Sequence, residues 1–181
     1  MRRILADHGV LGTDVEWFNR VDDSPNAGDP YRAPKDYRKQ ALASVTTHDL
    51  PPTAGYLNFA HVKLREELHL LSEPVEAFAA SAMAERTAMM NRLVENGYIS
   101  QTVADDVEGH VQEIVEAMHA MLTDTPSLLL QAALVDGVGE CRSQNQPGTS
   151  REYSNWRVPL ADSSGHVVHT DESSTCHACS P

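Results

Sequence analysis

The sequence predicts an α/β chain in which short strands of a parallel sheet alternate with helices, and three observations carry that prediction. Ser44–Leu57 runs from β-prone residues into Thr47-His48-Asp49, where Pro51-Pro52 forbids strand or helix from continuing. Leu128 to Val135 is a near-continuous apolar run, suited to a strand buried on both faces of a barrel or another parallel sheet. Between them lie long segments whose apolar residues recur at helical spacing.

Taken in order, Arg2 to His8 reads as a helix that Gly9 terminates, and Val10 to Phe18 as a buried strand ending in Trp17 and Phe18. Asn19 to Lys39, with Pro25, Gly28, Pro30 and Pro34, is a polar connector rich in turns. Gln40 to Thr46 supplies the next strand. Phe59 to Leu71 is expected to be a helix with Phe59, Val62, Leu64, Leu68 and Leu71 on one face. Ser72-Glu73-Pro74 starts a second helix, with Met83, Met89 and Met90 expected in its core face and Gly97 ending it after Asn96. Ser100 opens a third of about six turns, striped by Val103, Val107, Val111, Ile114, Val115, Met118 and Leu122. His110 and His119 ride on it as ordinary helix histidines. After the apolar run, Asp136 to Glu140 turns the chain, and the Asn145 to Thr149 loop is expected to reach the same pocket as Asp49.

Composition narrows the function. The chain has 181 residues, enough for one core of ordinary size, and its 26 acidic against 14 basic residues give a formal net charge of -12. Such a surface repels nucleic acid and anionic membrane, so a neutral small-molecule ligand fits better. No stretch approaches the roughly 20 apolar residues of a membrane span, and Met1-Arg2-Arg3 is not followed by an apolar signal core, so a cytoplasmic location is expected. Three cysteines make no disulfide framework. Cys176-His177-Ala178-Cys179 has the spacing of half a zinc site or of a redox pair, to which His166, His169 and His177 would contribute only with the tail folded back on itself. No role is assigned to them, because that part of the chain reads as a disordered polar tail, residues 161–181.

Asp49 and His48 follow a strand end, where parallel barrels keep their chemistry. Taken by type alone, they also suit the simple capping of a turn. Their surroundings favour chemistry. Thr47-His48-Asp49-Leu50-Pro51 followed by Gly55-Tyr56 resembles the strand-end motif of the 4-α-glucanotransferases, or amylomaltases. Asn145-Gln146-Pro147-Gly148-Thr149 with Asn155-Trp156-Arg157 resembles the same family's Asn-x-Pro-Gly-Thr loop and Asn-Trp-Arg, and Gly9 to Thr13 leading to Trp17-Phe18 is a third match in the family's order.

The resemblance covers Ile4 to Leu160, corresponding to the last third or so of a family member. It implies residues 1–160 as the C-terminal part of a catalytic (β/α)8 barrel, its last three strands and their helices, incomplete in this chain. It also implies transfer of an α-1,4-glucan segment from one maltooligosaccharide to the 4-hydroxyl of another sugar, with retention and without metal or organic cofactor. Asp49 matches the carboxylate that stabilises the transition state; His48 and Asn145 would bind substrate. The family's nucleophilic Asp and acid/base Glu match nothing here, and Asp14 and Glu16 are expected as a rim or polar layer. The missing N-terminal part of the barrel is then the implied partner, and a non-catalytic glucan-binding or scaffold fragment is the alternative. Two roles are left to geometry. Trp17 either faces a sugar or fills core. Trp156 is expected to be buried, fixing its loop while Arg157 pairs with a carboxylate.

Overall fold

The computed structural model describes residues 2–21, 26 and 28–169. The chain forms two compact units, the first comprising residues up to Val45 together with Met83–Ala132, the second Thr46–Ala82 together with the residues from Ala133.

The first unit holds helix α1 (Arg2–Asp7) and a parallel three-stranded sheet, β1 (Gly12–Val15), β2 (Ala41–Ser44) and β3 (Leu129–Gln131), in the order β1-β2-β3. Gly12 stands opposite Ala41 and Leu42 opposite Leu129. The central strand buries Ala41 and Ala43 completely. Parallel neighbours demand crossover connections, and the described residues of the β1–β2 link carry two single turns of 3-10 helix, Glu16–Phe18 and Pro34–Asp36, the second opened by a proline. The apolar run after Ser127 departs from expectation. Only three of its residues form strand, and Leu129 and Leu130 remain about half exposed, not buried on both faces.

The core of this unit comes from α4 (Val75–Glu95), whose later turns bury Met89, Met90 and Leu93, and from α6 (Val111–Thr123), which buries Ile114, Val115, Met118, Met121 and Leu122. Met83, expected with them, is exposed. The third predicted helix is interrupted: α5 (Gln101–Asp105), capped by Ser100 Oγ accepting from the Val103 amide at 3.3 Å, ends at Asp106. The Asp106 carboxylate accepts from the Gly109 amide at 3.2 Å, drawing the chain into a fresh start before α6.

The second unit contains α2 (Thr53–Leu57), α3 (Ala60–Glu67), the first turns of α4 and α7 (Leu134–Gly137). The helix expected from Phe59 begins one residue later, because Phe59 adopts φ 57°, a left-handed value that separates α2 from α3. In the described part of the expected tail, Ala161 pairs antiparallel with Val167 around a turn in which Asp162 accepts from the amides of Ser164 (2.8 Å) and His166 (3.0 Å). Cys176, His177 and Cys179 lie outside the described residues. Among the described residues no helix is long and apolar enough to cross a membrane.

His61, on no predicted apolar face, is buried in an aromatic cluster. It stacks on Tyr56 at 4.6 Å and 5°, with Phe78 edge-on at 6.1 Å. Burial, aided by the Arg65 charge, lowers its pKa from 6.5 to about 4. The unfolded chain therefore takes up the proton first as pH falls. His61 costs no stability above about pH 6.5, and its contribution declines by up to about 3 kcal/mol toward pH 4, below which both states are protonated. Urea unfolding of the parent and of His61→Phe is expected to show the parent losing ground to the variant between pH 7 and pH 4.5. An unchanged difference at the two pH values contradicts this account.

Candidate functional site

The second unit brings together two loops that lie almost a hundred residues apart in sequence. In the first, the Leu50 amide donates to the Thr47 carbonyl at 3.1 Å, which sets His48 and Asp49 at the tip of a tight turn. Thr46 Oγ1 donates to the Pro51 carbonyl at 2.9 Å and closes the turn from outside. Pro51-Pro52 leads directly into α2, where buried Asp136 of α7 accepts from the Thr53 amide at 2.7 Å and from its hydroxyl at 2.8 Å. The two loops are thus tied at their roots by a charge-assisted pair of bonds. Gly55 is required at its place: a Cβ there would lie 2.2 Å from the Cys141 carbonyl oxygen, so only glycine lets α2 lie against that backbone.

The second loop, residues 143–157, is braced by its own polar groups. Pro147 and Gly148 (φ 89°) occupy the centre of a turn closed by the Thr149 amide on the Gln146 carbonyl at 3.3 Å, the arrangement that Pro-Gly encodes as type II. Asn155 accepts from the Gln146 amide at 2.8 Å and donates to Thr149 Oγ1 at 2.8 Å. Tyr153 donates its hydroxyl to the Ser143 carbonyl at 2.6 Å. At the loop's base, buried Glu140 accepts from the Arg142 side chain (2.7 Å) and the Ala161 amide (2.9 Å). Burial works to raise the Glu140 pKa, but the Arg142 and Ala161 donors outweigh it and hold the carboxyl below its ordinary range.

The loops meet at Asp49. Asn145 Nδ2 donates to Asp49 Oδ1 at 2.6 Å, while the second oxygen, Oδ2, stands 3.4 Å from His48 Nε2. Both side chains remain open to solvent, Asp49 at 52% and His48 at 65%. The result is a carboxylate fixed from one side by an amide, flanked by an imidazole, and free to accept hydroxyl hydrogen bonds. The sequence-based expectation that Asp49, His48 and Asn145 share one place agrees with this geometry.

Two expectations about tryptophan are corrected. Trp156 is not buried: it is 63% exposed, with its ring 5.4 Å from that of His48 and inclined by 43°. Arg157 is exposed and has no carboxylate partner among the described residues. Trp17, the candidate sugar-facing aromatic, is 6% exposed, because the chain turns into 3-10 helix at Glu16 and rotates Trp17 inward. That rotation leaves neighbouring Phe18 66% exposed, beside a cavity of about 230 Å³ lined by Asp14, Asn19, Arg32 and Arg38. Asp14 and Glu16 are not free carboxylates: Asp14 is held by the Arg38 guanidinium, and Glu16 is fully buried against Arg92 and Tyr37. Among the described residues no group of three or more His, Cys, Asp or Glu side chains is arranged to hold a metal ion.

Comparison with known proteins gives the same direction from every side. The glycoside hydrolase 77 family model, described as 4-alpha-glucanotransferase, matches residues 1–164. The 4-alpha-glucanotransferase of Mycobacterium tuberculosis is 49% identical over 168 residues, a match covering 93% of this chain and 22% of that relative. The 4-alpha-glucanotransferase of Haemophilus influenzae is 26% identical over 129 residues, covering 70% of this chain and 18% of the relative. The crystal structure of amylomaltase from Corynebacterium glutamicum superposes with a TM-score of 0.89 at 36% identity, covering 98% of this chain and 25% of that one. The chain thus spans about a quarter or less of the length of these relatives.

Proposed function

This chain belongs to the 4-alpha-glucanotransferase family, and from that premise we propose that it is a portion of an enzyme that passes an α-1,4-glucan segment from one maltooligosaccharide to the 4-hydroxyl of another sugar. The observation that carries the reading is the convergence of Asn145 and His48 on Asp49 from separate family-like motifs. In a retaining mechanism one carboxylate attacks the anomeric carbon as the glycosidic bond breaks, a carboxylic acid protonates the departing oxygen, and the same group then deprotonates the acceptor hydroxyl that displaces the enzyme. Asp49 takes neither role. It holds the hydroxyls of the reacting sugar, and its charge stabilises the oxocarbenium-like transition state. His48 and Asn145 orient that carboxylate and extend hydrogen bonds to the same sugar.

The nucleophile and acid/base come from a segment outside these 181 residues, which also supplies the remaining strands of a (β/α)8 barrel whose last three strands are β1, β2 and β3. Two features support this assignment. The three strands are parallel and sequential, and the apolar side chains of β3 stand open at the sheet edge. The acidic surface suits a neutral glucan in the cytoplasm better than nucleic acid or membrane.

The chain alone, incubated with maltotriose, is expected to yield no ladder of glucose and longer maltooligosaccharides. Grafted in place of the matching 168 residues of the M. tuberculosis relative, it is expected to give the ladder. A folded graft without turnover favours a glucan-binding or scaffold role and overturns the transferase reading. A ladder from the chain alone overturns the division of the site.

A further inference from the structure

Trp156 is placed as no core residue would be. Its backbone takes φ 62°, a left-handed conformation that bulky side chains rarely adopt, and its amide is committed to the Gln144 carbonyl at 2.9 Å. The Asn155 bonds to Gln146 and Thr149 on one side and the Arg157 amide on the Ser154 carbonyl at 3.0 Å on the other hold the segment in that shape. Left-handed values of bulky residues concentrate at sites where a ligand is clamped. Here the segment presents the largest apolar side chain of the unit to water at 63% exposure. The ring then lies 5.4 Å from His48, whose Nε2 is 3.4 Å from the Asp49 carboxylate.

An apolar plane next to a hydrogen-bonding carboxylate matches the two faces of a pyranose, whose ring C–H groups form a flat apolar surface and whose hydroxyls point outward from the edge. We propose that Trp156 is a substrate-positioning residue: its indole is the platform on which one glucose ring of the glucan stacks while its hydroxyls reach His48 and Asp49. The rings of Trp156 and His48 are inclined by 43° and not stacked in parallel, and the indole residue remains 63% exposed. The strain at Trp156 is then the local cost of aiming a platform. The inference rests on the glucan-transferase reading given above and adds to it the residue that fixes the sugar plane.

The test uses binding of maltotriose to the full chain, measured by calorimetry. Trp156→Ala is expected to weaken binding about tenfold, as loss of a stacking plane does, and Trp156→Phe to restore most of it. The chain has two tryptophans, one of them buried, so acrylamide quenching reports mainly Trp156. Saturating maltotriose is expected to protect that fluorescence. If Trp156→Ala binds maltotriose as the parent does, the platform is wrong and the glucan site stands. Maltotriose that binds without changing the quenching likewise overturns the platform. Failure of maltotriose to bind the folded parent overturns this inference, whereas the reading beneath it falls only with a folded graft that gives no ladder.

Discussion

Asp49→Asn, placed in the grafted enzyme, is expected to lower kcat by roughly a thousandfold or more. The exchange keeps Oδ1, so Asn145 Nδ2 retains its acceptor, and it changes neither the size nor the position of the side chain. On the role proposed for Asp49, what disappears is a negative charge beside a sugar that becomes cationic only as the glycosidic bond breaks. An interaction made mainly in the transition state is lost from kcat and leaves KM little altered. Because Asp49 is half exposed, its neutralisation is expected to move unfolding stability by less than about 0.5 kcal/mol. Steady-state kinetics on maltotriose with a parallel urea titration separates the two quantities. A variant turning over at near-parent rate would remove Asp49 from the mechanism.

The pairing of Asp49 with Asn145 was legible through the family resemblance, and the two turns that carry it were legible for a physical reason. Pro51-Pro52 and Pro147-Gly148 each fix a backbone shape locally, so the turns that carry Asp49 and Asn145 need no knowledge of the rest of the chain. The aromatics were not legible in the same way. Whether Trp17 or Phe18 faces outward depends on whether the chain continues as strand or tightens into 3-10 helix at Glu16, and residue type does not decide between the two. Trp156 reads as core because large apolar residues usually are; its exposure follows from a left-handed backbone value that only its loop's hydrogen bonds enforce. The break at Asp106 hides inside an unbroken apolar stripe, since spacing reports which face is apolar and not where a carboxylate captures an amide. The leucines of β3 show the same limit: an apolar run states a suitability for burial and says nothing of what lies over it.

The buried pair between Glu16 and Arg92 was equally invisible, and it carries the largest stability effect expected in the first unit. Glu16 is fully buried and Arg92 only 4% exposed. One guanidinium nitrogen of Arg92 bonds one oxygen of Glu16, another donates to Tyr37 Oη at 3.1 Å, and the Tyr37 hydroxyl donates to the second Glu16 oxygen. Three segments distant in sequence, the end of β1, the approach to β2 and the last turns of α4, are locked by one closed set of bonds. Burial pulls the Arg92 pKa down to about 10, still far above neutrality, so its guanidinium is cationic under ordinary conditions. Arg92→Met keeps much of the volume and removes the cation, leaving the Glu16 carboxylate in the interior with a single phenolic donor. The expected cost is about 3–5 kcal/mol, because desolvation of the remaining charge is no longer offset. Adding Glu16→Gln to Arg92→Met removes the stranded charge and is expected to recover a substantial part of that loss. Urea unfolding of the parent, the single variant and the double variant reads both numbers. A single variant within about 1 kcal/mol of the parent would mean that the charge is not stranded, whereas a double variant no better than the single would assign the loss to packing.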